Sequence, residues 1–598
     1  INRKSLLAGM NYFEFKYREA DYGSAPKGLM YGLQCLDSWL YDGDPMTHLC
    51  YQETFDFLKK EVENGYFEQL IRDYLLDNPF EAVIVVAPEK NLTAKEDEKL
   101  AKKLADYKAS LSEEQLEELV AATGELKEYQ DTPSTPEILA KIPLLKREDI
   151  DKKAETFCWT EKEEAGIKVL HHNFFTAGIG YLKVLFNTEV LPPEDLPYAG
   201  LLKSILGSVS TEHYSYSDLT SEIHLNSGGV DFSVTSYANL EKPEQFTGAF
   251  VASIRVLYDK LDFGFTMLEE ILNHSVFTDE KRLGEVIQET RSRAKMKLEN
   301  AGHSTAVSRA TSYFSATAYY NELTGGTAYY HFLEQLEKDY AAKKGEIIAR
   351  LQEVSKKLFT RANMLVNYTA DDKGYEKLPE TLKLLADQLP QGNGEKYAFT
   401  HPVKNLNEGL KTSAQVDYVA RCGNFRDAGL QYTGALKILQ VILSYDYLWL
   451  NIRVKGGAYG CMSGFGRSGE GYLVSYRDPN LKETNEIYEG IPAYLEAFDP
   501  DERDMTKYVI GTISNLDAPL TPSVKGSRGL SAYLSGVTEE MMQTERDQIL
   551  GATKEDIRAL AAQVRAVLAT GSLCVVGNEE KIEANRGMFG EILNLTRG

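Results

Sequence analysis

The sequence predicts an α+β fold of repeated modules, each with a largely antiparallel sheet covered by helices, plus a helical linker. Three observations carry this. Strand-length apolar runs recur, as in residues 180–186 (GYLKVLF), and Val230, Phe232 and Val234 alternate with polar residues. Between such runs, apolar residues return at helical spacing, as at Leu283, Val286 and Ile287, and at Ala435, Leu436, Leu439, Ile442 and Leu443. One ending also occurs three times: an amphipathic helix, a short connection, then an apolar strand near residues 81–87, 363–368 and 572–576.

Taken in order, residues 1–91 read as the end of a module. A helix is expected over residues 59–76, Asn78-Pro79 stops it, and residues 80–87 (FEAVIVVA) read as a buried strand ended by Pro88. Residues 92–150 read as a helical linker rich in Lys, Glu and Ala. Thr93 and Glu96 form a capping box for its first helix, and Ser112 caps its second. Residues 151–400 read as a complete module. Strands are expected within residues 163–189, after Gly228-Gly229, at 245–260 and at 363–369. Helices are expected near 198–207, after a Thr278 cap, over 310–345 with a break at Gly325-Gly326, and at 345–358. Residues 401–598 form the last module, with a strand at 471–478 and a final helix at 554–569.

Composition bounds the function. A chain of 598 residues, 43% hydrophobic, exceeds one compact core. The net charge of -23, from 66 basic and 89 acidic residues, disfavours non-specific binding to nucleic acid or anionic membranes. It suits basic peptides if the acids line a cavity; an ordinary acidic surface is the alternative. Six cysteines, none in a CxxC pair, indicate neither a disulfide framework nor a thiolate zinc site, and they fit a reducing cytoplasm. No apolar run is long enough to span a membrane. The start, INRKSLLAGM, has no initiator methionine and no signal peptide, so the chain is expected to begin inside a longer product or after a processing or cloning junction.

Nine histidines occur, with no HExxH, HxxEH or HxxxH spacing. A helical zinc site needs two ligands about one turn apart plus a third, which the local sequence does not supply. His171 and His172 are adjacent and would face opposite sides of a strand; His213 and His224 read as loop or surface residues. Residues 464–471 (GFGRSGEG) lack the Lys-Ser/Thr of a phosphate loop and read as a hairpin.

The stretch 451–480 (NIRVKGGAYGCMSGFGRSGEGYLVSYRDPN) is different. Arg453 follows a long apolar helix, Gly456-Gly457 permit close backbone approach, and Tyr459 offers a phenolic donor. Arg453 and Tyr459 could hold a peptide carbonyl or stabilise a developing oxyanion. Equally, Arg453 could pair with an acidic neighbour and Tyr459 pack in a core. Arg477 reads as structural, paired locally with Asp478 at a proline turn.

Residues 453–460 (RVKGGAYG) and 475–480 (SYRDPN) closely resemble the C-terminal half of the presequence protease group, zinc metallopeptidases of the pitrilysin/insulysin superfamily. The resemblance covers essentially the whole chain. It implies four related pitrilysin-like αβ modules in two bowl-like halves that enclose a chamber and degrade unfolded peptides. An inverted HxxEH motif and a distal glutamate in the N-terminal module bind zinc and supply the general base. The arginine and tyrosine of the C-terminal half match Arg453 and Tyr459. In the third module the motif falls at Ala199-Gly-Leu-Leu-Lys203, where Ala199 and Leu202 have no ligand atom and Lys203 is ordinarily cationic. The resemblance therefore implies residues 1–91 as the end of the second module, 92–150 as the joining hairpin, 151–400 as a noncatalytic third module and 401–598 as the fourth. It implies zinc in a missing N-terminal half, present in cis or as a separate subunit, and a chain inactive alone. A naturally separate noncatalytic partner and a peptide-binding or structural protein are the alternatives.

Overall fold

The computed structural model describes residues 2–596 apart from 24, 133, 243 and 393. It divides into two units, Ile1–Asn64 together with Arg147–Gly598, and Gly65–Lys146.

The larger unit holds two six-stranded sheets. The first contains β1 (Thr160–Glu164), β2 (Ile167–Asn173), β3 (Ile179–Asn187), β4 (Val230–Ala238), β5 (Phe246–Leu257) and β6 (Met364–Ala370), in the order β1-β2-β6-β3-β5-β4. The second contains β7 (Glu408–Thr412), β8 (Tyr418–Asn424), β9 (Gly460–Phe465), β10 (Glu470–Tyr476), β11 (Ser572–Asn578) and β12 (Glu591–Asn594), in the order β12-β7-β11-β8-β10-β9. Five strands correspond in order and direction. β2–β6 and β7–β11 are parallel. The three following pairs in each sheet are antiparallel. Two of the three recurring endings are thus β6 and β11, each inserted between the first two long strands of its sheet.

The modules exchange cover. Helices of the first module pack one face of its sheet around Phe186, Leu202, Phe250 and Leu268. The other face receives helix Pro522–Ser535 of the second module, whose Leu530 meets Leu170, Leu185, Ala249 and Val251. The approach is so close that a Cβ on Gly526 would lie 1.9 Å from the Thr369 hydroxyl. Reciprocally, Ala306 and Ala310 of helix Gly302–Thr311 pack on Ala420, Cys422, Val474 and Cys574 of the second sheet. A buried polar pin joins the two. Arg309 forks onto Glu408 at 2.5 and 2.8 Å, and Tyr313 donates to the same carboxylate at 2.7 Å. Removing one member of such a pair strands a buried charge, at a cost of about 3–5 kcal/mol.

Gly65–Lys146 is helical, with Leu92–Ser110 and Glu113–Asp131 as its long elements. The Ser112 capping box is present, closed by Gln115 at 3.2 and 3.0 Å. The Thr93 box is not: Asn91 occupies the N-cap position at φ 61° with no side-chain bond. The expected strand at residues 80–87 is also absent. These residues are irregular, with Phe80, Val83 and Val86 about nine-tenths exposed. A strand needs ladder partners, and this unit has no other strand among its described residues.

Other expectations shift locally. The helix over 59–76 is broken by Gly65 at φ 73°, and its last residues, Arg72–Leu76, are π-helical. Asp279, not Thr278, caps helix Glu280–Asn300, accepting from the Arg282 amide at 3.0 Å. Residues 345–358 continue the 32-residue helix Thr327–Leu358, and the strand expected at 471–478 ends at Tyr476.

Candidate functional site

Helix Ala435–Tyr445 buries Leu436, Leu439, Ile442 and Leu443 and is followed by a π-helical turn, Trp449–Lys455. Such turns are frequent at functional sites because they re-aim side chains. Here Ile452 is fully buried and anchors the turn, while Arg453 projects outward. The chain then reverses into the edge strand β9. A side chain at Gly456 would put its Cβ 2.5 Å from the Ile452 carbonyl oxygen, and Gly457 sits at φ +80°. Both positions require glycine.

The reversal brings Tyr459 beside Arg453. The Arg453 guanidinium lies 4.0 Å from the Trp449 ring centre and 5.8 Å from that of Tyr459. Tyr459 is 66% exposed, so it is not a core residue. Among the described residues Arg453 has neither an ion pair nor a side-chain hydrogen bond. Arg453 thus has no acidic partner among the described residues, and Tyr459 lies outside the core.

The arm is braced from the segment after β10, to whose Asp478 and Asn480 the sequence reading gave no bracing role. Asn480 donates to the Gly456 carbonyl at 2.6 Å. Asp478 caps the Asn480 amide at 2.9 Å and accepts from the Thr484 hydroxyl at 2.7 Å. Its backbone pairs in both directions with Asp417, at 2.8 and 2.9 Å. Asp417 accepts from the Asn578 amide at 2.8 Å, and burial pushes its carboxyl up to about 6. Burial raises Asp478 as well. The available signal was the Asp-Pro-Asn turn, whose short side chains bond their own backbone. The expected Arg477–Asp478 pair does not form: Asp478 is wholly buried and Arg477 is exposed.

The positions read as a vanished zinc motif lie on helix Leu196–Ile205, which follows β3 as Ala435–Tyr445 follows β8. Ala199 and Leu202 are fully buried in the first core. The Lys203 amine donates to the Thr324 carbonyl at 2.7 Å, and burial lowers it to about 8. No carboxylate or imidazole stands at these places, so the helix does not fit a zinc ion.

The histidines do not build a motif. His171 bonds the Ala370 carbonyl at 3.0 Å, and His172 bonds Asn367 at 2.6 Å. His213 lies in an exposed loop, whereas His224 is half-buried on helix Tyr216–Asn226 rather than on a loop. Glu269, Glu270 and His274 converge, the one such group among the described residues. They are engaged with other side chains, His213 to Glu270 at 2.8 Å and His274 to Glu269 at 3.2 Å and to Glu212 at 3.1 Å.

Comparison with known proteins places these features. The family of regions associated with subfamily C of the M16 peptidases matches residues 86–336, and the family described as "PreP C-terminal domain" matches residues 407–578. Protein HypA of Clostridium perfringens is 40% identical over 597 residues, covering 100% of this chain and 61% of that protein. Presequence protease 1, chloroplastic/mitochondrial, of Arabidopsis thaliana is 32% identical over 591 residues, covering 98% of this chain and 54% of that protein. The chain thus spans little more than half the length of these relatives. A crystal structure of a conserved protein from Enterococcus faecalis shares the fold at TM-score 0.51 and 15% identity, over 70% of this chain and 99% of that one.

Proposed function

The chain belongs to the pitrilysin/insulysin superfamily as a presequence-protease-like, C-terminal portion without zinc ligands, and from that premise we propose that it is the substrate-side wall of a peptide-degrading zinc endopeptidase. The observation that carries this is the Arg453–Tyr459 arm, unpaired, exposed and set on two obligatory glycines.

In this reading residues 1–91 close the second of four modules, 92–150 link the halves, and 151–400 and 401–598 are the third and fourth. The zinc ligands and general base belong to a preceding N-terminal half, in cis or as a separate subunit. Closing the two halves into a chamber excludes bulk water from the bound unfolded peptide. Arg453 and Tyr459 donate to the carbonyl of the bond to be cut and to the negative charge that develops on its oxygen. Trp449 stacks under the guanidinium and holds it in one orientation. Braced through Asn480 and Asp478, the arm is ordered before substrate arrives, so less entropy is lost on binding.

The chain alone is expected not to cleave peptides. Mixed with a zinc-bearing N-terminal half, it should support zinc-dependent cleavage of an unfolded peptide. Arg453→Ala and Tyr459→Phe should each lower turnover by roughly 100-fold, the scale of one lost oxyanion donor, with little change in thermal unfolding. Undiminished turnover in both variants sinks the assignment.

A further inference from the structure

The end of β10 departs from regular pairing. β10 pairs with β8 in register through Val474 and Ala420, which would set Arg477 opposite Asp417; Asp417 pairs with Asp478 instead, so the β10 side carries one extra residue. This is a β-bulge, a device that re-aims side chains beside functional sites. Its left-handed position, ordinarily glycine, is taken by Arg477 at φ +50°. A non-glycine residue there costs about 1–2 kcal/mol. The bulge also inverts the local alternation. Leu473 lies in the helix-covered core and Val474 on the opposite face. Strict alternation would carry residue 477 to the core side. Instead Asp478 is buried, held by Thr484, and Arg477 stays outside.

Outside, Arg477 extends the same surface. Its guanidinium is 5.6 Å from the Tyr476 ring centre. The Tyr476 ring is 5.9 Å from the Tyr459 ring, which is 5.8 Å from the Arg453 guanidinium. Two arginines without ion pairs or side-chain hydrogen bonds among the described residues thus flank two tyrosines, in a chain of net charge -23. A guanidinium presents a planar fork of donors that fits a carboxylate in bidentate fashion.

We propose that Arg477, carried on Tyr476, is a carboxylate-reading subsite that takes a carboxylate of the peptide whose carbonyl is held by Arg453 and Tyr459. The proposal rests on the substrate-side reading of that pair. The carboxylate comes either from the peptide C-terminus or from an Asp or Glu side chain, and the left-handed backbone keeps the arginine available to it.

The test is the affinity of this chain, by fluorescence anisotropy, for a labelled unfolded peptide with a free C-terminus and one glutamate. Three further peptides are amidated, carry glutamine for the glutamate, or both. Arg477→Gly removes the cation while suiting the left-handed backbone, so the variant remains folded, which its melting curve verifies. The expected result is a loss of tenfold or more for the parent peptide, the range of a charge-assisted hydrogen bond, and little loss for the doubly neutral peptide. The single change that reproduces the loss identifies the source of the carboxylate. Equal affinity of Arg477→Gly and the unaltered chain for every peptide overturns the proposal, as does an equal loss for all four. Arg453→Ala should weaken all four peptides alike. If it weakens none, the substrate-side reading itself fails, a result separable from a failure confined to Arg477→Gly.

Discussion

Replacing Lys203 by Met should stabilise the protein at neutral pH. The Lys203 amine sits between the Thr324 carbonyl, at 2.7 Å, and the Tyr329 ring, at 5.3 Å. Burial lowers it from 10.5 to about 8. Because the folded value lies below the unfolded one, the unfolded chain holds more protons between about pH 8 and 10.5. The charge therefore weighs on the folded state in full below pH 8, and the burden lifts as pH rises toward 10.5. At 1.36 kcal/mol per unit the burden is about 3 kcal/mol. Met keeps the length and apolar body of the side chain but leaves the Thr324 carbonyl without its donor, which takes back about 1–2 kcal/mol. The net gain is about 1–2 kcal/mol at pH 7. Urea unfolding of both proteins at pH 7, 9 and 10.5 measures it, and the gap should close or invert by pH 10.5. A Met variant less stable at pH 7, or a gap independent of pH, refutes the reasoning.

Two further outcomes follow from the arm and its brace. Gly457→Ala, at φ +80°, should cost about 1–2 kcal/mol in urea unfolding and lower peptide affinity, whereas Gly124→Ala in an exposed helix should not destabilise. Asp417 is raised to about 6 by burial, so its ionised form burdens the folded state above pH 6, and the burden lifts as pH falls toward 3.8. Asp417→Asn should therefore melt higher than the unaltered chain at pH 8 and lose that advantage by about pH 4; a constant difference across this range contradicts the assignment.

Much of the fold was legible where local pattern and tertiary demand agree. Residues 363–369 and 572–576 read as apolar strands because β6 and β11 are buried on both faces. Ser112 read as a cap because its capping box is closed within four residues. Residues 80–87 carry the same apolar pattern, but strand formation depends on partners distant in sequence, and Gly65–Lys146 provides none among its described residues. The strand order and the exchange of covering helices are likewise non-local, marked only by small residues such as Ala306 and Gly526. Within the site, Arg453, Gly456, Gly457 and Tyr459 stood out because glycines and a forked cation are locally conspicuous. The pairing of Arg477 with Asp478 was misread for a corresponding reason. Adjacency to Asp478 suggests an ion pair, but neighbouring residues of an extended chain face opposite sides, and here Asp478 is the buried one, held by Thr484, while Arg477 is exposed.

The role proposed for this chain is to supply the substrate-side arm of a zinc peptidase whose metal lies elsewhere. Single-turnover cleavage of an unfolded peptide by this chain combined with a zinc-bearing N-terminal half measures that role. Cleavage should need both parts and zinc, and should fall roughly 100-fold with Arg453→Ala while the variant's melting curve is unchanged. Cleavage by the N-terminal half alone at the same rate, or an Arg453→Ala combination as fast as the unaltered one, contradicts it.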